Sequence, residues 1–153
     1  MSPRSRTNQL LYQAELLVGL PVGDDEHSPA RRMAIEESAL ALFELALGSL
    51  LKEVTEHARL TSHDWRALLA SDGPDVAELQ RLRDAMQQPE SWLYLLVGQL
   101  EKLHSDDGAA RRAVQNPSMI AVGSQLTLAE QLLENLQAAK RDIASLRETS
   151  QEW

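Results

Sequence analysis

The sequence predicts an all-α fold. It should be a single antiparallel bundle of four main helices plus one or two short ones, with residues 1–153 forming one domain. Three observations predict it. Apolar residues recur three and four apart over most of the chain, which is the period of one helix face. β-Branched residues are few and never alternate with polar ones over a useful length, so strand signals are nearly absent. Aromatics make up 4% of the chain, which leaves Leu, Ala, Val and Ile to fill the core, as suits packed helices. The length of 153 residues matches one domain and allows a core that needs no metal or disulfide.

Each element has its own signal. Leu10, Leu11, Ala14, Leu17 and Val18 predict a first helix from about Thr7 to Val18, ended by Gly19 at C′ and by Pro21. An acidic loop follows (Asp24, Asp25, Glu26). Ser28-Pro29 then reads as an N-cap and first helical residue. From there to about Arg59 there is no proline and one glycine. Such a helix would be ~45 Å long and would cross the whole domain. Its seam is Met33, Leu40, Phe43, Leu47, Leu50, Val54 and His57/Ala58, widened by Leu42, Leu45, Ala46 and Leu51. Thr61 and Asp64 are spaced like a capping box before a short helix through Trp65, Leu68 and Leu69.

Ser71-Asp72-Gly73-Pro74 is a turn signal. A helix from about Asp75 to Met86 follows, with Val76, Leu79, Leu82 and Met86 inward. Pro89 opens the next, whose inner face is Trp92, Leu93, Leu96, Leu100 and Leu103. The stretch between Gly108 and Ser124, with Asn116-Pro117, reads as irregular. Thr127-Leu128-Ala129-Glu130 is a capping box for the last helix. There Leu132, Leu136, Ala139, Ile143 and Leu146 recur at coiled-coil spacing, able to fold inward or to pair with another chain. Gly48 and Gly98 lie inside helices, where glycine is costly, and at least one of them is predicted to lie at a close helix–helix crossing.

Composition excludes several function classes. Without cysteine there is no thiol nucleophile, iron–sulfur cluster or Cys-ligated zinc, and a reducing cytoplasm is the expected location. Tyr12, Gln13 and Glu15 interrupt the N-terminal apolar residues, so no secretion signal is expected, and no window of ~20 apolar residues suggests a membrane span. The net charge of −8 argues against nucleic-acid binding, leaving Arg4/Arg6, Arg31/Arg32 and Arg111/Arg112 as solvated charges. A helix–turn–helix from Trp65 to Met86, with Arg81 and Arg83 on its second helix, would turn Glu78 and Asp84 toward phosphates. Gly-x-Ser-x-Gly, phosphate-loop and dinucleotide fingerprints are missing.

Two constellations remain. Glu101-Lys102-Leu103-His104 is a Glu-x-x-His, the pair that di-iron bundles use twice, but no second copy is present. His57, within Glu56-His57-Ala58-Arg59-Leu60, falls near the end of the long helix. The segment departs by one position from the phosphotransfer-domain motif and lacks the Lys-Gly that follows it there. A hydrogen-bonded, partly buried histidine is the expected reading. Trp65, Trp92 and Trp153 are candidate anchors, with Trp65 and Trp92 expected in the core.

In size, in its Asn8-Gln9-Leu10-Leu11-Tyr12 start, in its long central helix and in its Pro89-Glu90-Ser91-Trp92 helix start, the chain resembles a small all-helical bacterial family of unknown function. That resemblance implies no activity and no site residues. The expectation is therefore a protein-interaction or regulatory module with no catalytic, cofactor or metal residues. Its partner would be another protein or a second copy of itself. The alternatives are a metal-binding or enzymatic four-helix bundle built on Glu101, His104 and His57, and phosphotransfer through His57.

Overall fold

A computed structural model describes residues 1–110 and 126–151. Among them run six α-helices, one 3-10 turn and no strand. They are α1 (Pro3–Val18), α2 (Ser28–Val54), the turn Glu56–Ala58, α3 (Trp65–Leu68), α4 (Ala77–Met86), α5 (Trp92–Leu103) and α6 (Leu128–Gln151). The all-helical class is as the sequence predicts. The irregular stretch expected up to Ser124, the Arg111/Arg112 pair and Trp153 lie outside the described residues.

Helix ends differ from the expectations where side chains settle them locally. α1 starts at Pro3, four residues before Thr7, because the Ser2 hydroxyl accepts the Ser5 N–H at 3.1 Å. Ser28, by contrast, is already helical. His27 occupies the cap position without a side-chain cap bond, and its own N–H donates to Asp25 Oδ1. Asp64 itself caps α3, accepting the Arg66 N–H, so no box with Thr61 forms. Ser91, not Pro89, opens α5 by accepting the Tyr94 N–H at 3.1 Å. The capping box of α6 forms as expected: the Glu130 N–H donates to Thr127 Oγ1, and the Thr127 N–H to Glu130 Oε2.

The long helix stops at Val54, five residues short of Arg59. The Thr55 hydroxyl donates to the Leu51 carbonyl, and so does the Thr55 N–H. Such back-bonding diverts the backbone from its regular ladder. The chain tightens into the 3-10 turn, and Arg59 adopts a left-handed conformation (φ 51°, ψ 47°) that non-glycine residues rarely take.

α1 and α2 run in opposite directions. Thr7 near the start of α1 donates to Ser49 near the end of α2 at 2.8 Å, and the Ser49 hydroxyl continues to the Pro3 carbonyl. α6 lies beside both: Lys140 pairs with Glu15 at 2.6 Å, and Arg147 bonds Glu53 and Asn8. The buried core draws on α1 (Leu10, Leu11, Ala14), α2 (Leu40, Phe43, Leu47, Leu50, Leu51), α4 (Leu79, Leu82), α5 (Leu93, Leu96, Leu100) and the whole α6 seam. Each such leucine contributes roughly 1.5–3 kcal/mol by leaving water. The α6 seam is spent inward, so it offers no coiled-coil face to another chain.

Both ends of α5 meet one turn of α2. Trp92 stacks on Phe43 with ring centroids 6.1 Å apart, while His104 reaches Glu44. α5 is ~18 Å long, so it crosses α2 there. Gly48 and Gly98 are not at such crossings: a Cβ on either would meet nothing within 4 Å. The crossing expected of them is absent because both face outward.

Candidate functional site

A cleft lies along the outer side of α2. Its floor is the outer strip of α2, Glu44, Leu45, Gly48 and Lys52. One wall is the start of α1 and the other is the segment His63–Arg66, with His104 at the rim. The volume is about 670 Å³, within the usual range of binding sites.

Glu44 organises this cleft. Its Oε2 accepts the Trp65 indole N–H at 3.0 Å, and its two oxygens lie 2.9 and 3.0 Å from His104 Nε2. A buried indole needs an acceptor, and Glu44 supplies it. The Arg66 guanidinium lies 4.4 Å from the centroid of the Trp65 ring, a cation–π arrangement. Leu45, 55% exposed, and the bare Gly48 leave an apolar strip open between the walls.

A second cleft of about 1000 Å³ lies beyond the end of α2, lined by Glu53, Glu56, His57, Arg59, Asp75 and Glu78 among others. The break at Thr55 moves His57 off the helix. Its ring is exposed, not partly buried as expected, with Nε2 3.7 Å from Glu78. His57 and His104 therefore line different clefts. Glu101 is exposed and His104 turns to Glu44 instead, so the Glu-x-x-His pair does not form a joint site. Among the described residues no group of three or more His, Asp and Glu side chains could hold a metal ion. No helix among them is long and apolar enough to cross a membrane.

Arg81 and Arg83 hold the fold together. Arg83 is buried and donates to the carbonyls of Leu68 and Pro74, stapling α4 to the turn before it. Arg81 donates to Ser145 and Thr149 of α6. Glu36 has a displaced acidity. Burial raises its pKa above the ordinary carboxylate value, opposed by Arg32 and by the Ala129 N–H at the start of α6.

A family model matches the chain over residues 1–153. The chain belongs to DUF6586, a family of unknown function. No curated protein and no solved structure matches it. Membership of DUF6586 carries no residue roles, so the site rests on geometry. Sequence reasoning missed Glu44 altogether. It lies one residue past Phe43, at the edge of the apolar face, and its partners are 21 and 60 residues away. Trp65 was expected as core, and it is both buried and part of the cleft wall.

Proposed function

We propose that this chain is a non-enzymatic protein-interaction module acting in the cytoplasm, and that the Glu44 cleft is its partner surface. In this reading residues 1–153 are one domain, and α1, α2, α5 and α6 form a single antiparallel bundle. Support for the bundle comes from the opposed α1 and α2 and from α6 lying against α1 through Lys140–Glu15 and Arg147–Asn8. One observation carries the functional reading: a single carboxylate holds both Trp65 and His104 in place around an uncovered apolar strip. Walls fixed before binding lose little freedom on association, which favours affinity.

The test is site-specific photo-crosslinking in the source cell. A photoreactive residue at Leu45 should capture a discrete protein, and the same residue at the exposed Gln137 of α6 should not. Mass spectrometry of the adduct separates a second copy of this chain from another protein. Equal capture at both positions, or none at Leu45, removes the proposal.

A second reading, phosphotransfer through His57, is favoured by one observation: its side chain is 61% exposed. Incubation with phosphoramidate should then yield a phosphorylated His57, and an unmodified ring ends that reading.

A further inference from the structure

We infer that the segment seated in the Glu44 cleft is an acidic peptide with one apolar anchor side chain. The inference rests on the reading of the cleft as a partner surface and adds the chemistry of the partner.

Charge decides it. The formal net charge of the chain is −8, yet this cleft is lined by Arg6, Lys52 and Arg66 against Glu44 and Asp64. Both carboxylates have contacts inside the cleft. Glu44 accepts from Trp65 and faces His104, and Asp64 accepts the Arg66 N–H at the start of α3. Among the described residues none of the three cations has a carboxylate partner. Arg6 donates to the neutral amide of Gln9, and Arg66 lies over the Trp65 ring. Lys52 makes no hydrogen bond or ion pair with any described residue. In the cleft the three cations outnumber the two carboxylates, on a chain whose net charge is −8, and locally positive charge of this kind steers an anionic partner.

The apolar strip decides between anions. Leu45 and the open face of Gly48 gain from an aliphatic or aromatic side chain, which a phosphate backbone does not carry. A nucleic acid would also run its phosphates past the cleft onto an acidic surface, losing the neutralisation that drives such binding. A short peptide meets neither difficulty: its carboxylates reach Arg6, Lys52 and Arg66 while its anchor covers the strip.

The test is fluorescence anisotropy on the full chain. The probes are a fluorescein-labelled glutamate-rich peptide with a central leucine, its lysine counterpart, and an oligouridylate of matching charge. The acidic peptide should bind saturably. Its affinity should fall about ten-fold in a chain carrying Arg6→Glu and Lys52→Glu, and should fall again as salt rises from ~50 to ~500 mM. Both substituted positions are exposed, and circular dichroism checks that the fold persists. Equal binding of the lysine peptide, tighter binding of the oligouridylate, or no saturable binding of the acidic peptide at millimolar concentration would overturn the inference. Capture at Leu45 that persists alongside any of these results leaves the module reading standing with a partner of other chemistry. Loss of both removes the cleft as a partner surface.

Discussion

Arg147 on α6 clasps Glu53 on α2 through two N–H···O bonds, Nε to Oε1 at 2.5 Å and Nη2 to Oε2 at 3.0 Å. The remaining Nη1 donates to Asn8 on α1, so one guanidinium joins three helices. The two side chains are only 15% and 13% exposed. At that depth water screens the pair weakly, and removing one partner strands the other. Arg147→Met should cost about 2 kcal/mol, and Glu53→Gln a similar amount. The double variant should lose less than the sum, as coupled neighbours do. Urea denaturation of the four chains measures the coupling; strict additivity would contradict this account.

Gly98→Ala should stabilise the fold by about 0.5–1 kcal/mol, because the added methyl meets no atom within 4 Å and the helix loses a costly glycine. Gly48→Ala should gain a similar amount for the same reason. Thermal unfolding reads both. A fall in midpoint for Gly98→Ala would mean that its face is covered after all.

The helix faces were legible in the sequence because periodicity reports burial directly. Leu10, Leu11 and Ala14 of α1, and all five seam residues of α6, are buried as their spacing implies. The Thr127–Glu130 box was legible because both partners sit within one turn. Helix ends were less so. A Ser-Pro pair opens α1 at Ser2 but falls one residue inside α2 at Ser28, and the hydroxyl of Thr55 ends α2 without a glycine or proline to announce it. The cleft was not legible. Glu44 of α2, Trp65 of α3 and His104 just past α5 come from three separate elements, and how those elements pack is a tertiary property that no local spacing encodes.

Glu36 makes stability depend on pH in a defined sense. Burial is the main cause that lifts its folded-state pKa above the ordinary value, with Arg32 and the Ala129 N–H opposing. The fold therefore favours the protonated form more than the unfolded chain does. That contribution is fully present below the unfolded pKa and is lost as pH rises through the folded one. Glu36→Gln cannot titrate at this site. Between about pH 7 and about pH 4, the wild-type chain should gain stability relative to Glu36→Gln. Paired thermal melts across that range test it, and a gap that moves the other way would show that Arg32 outweighs burial.

Trp65 and Trp92 allow the cleft to be separated from stability. Each indole N–H donates to a carboxylate, Trp65 to Glu44 at 3.0 Å and Trp92 to Asp142 at 2.9 Å, and each ring is largely buried. Replacing either by phenylalanine removes one charge-assisted hydrogen bond and some packed surface, a loss of about 2 kcal/mol. The two variants should therefore melt at similar temperatures. They should differ at Leu45. Trp65→Phe frees a wall that Glu44 no longer holds, and photo-capture from Leu45 should drop. Trp92 stacks on Phe43 and does not line the cleft, so Trp92→Phe should leave capture unchanged. If both variants lose capture in step with their stability, Trp65 serves the fold alone and the Glu44 contact has no part in binding.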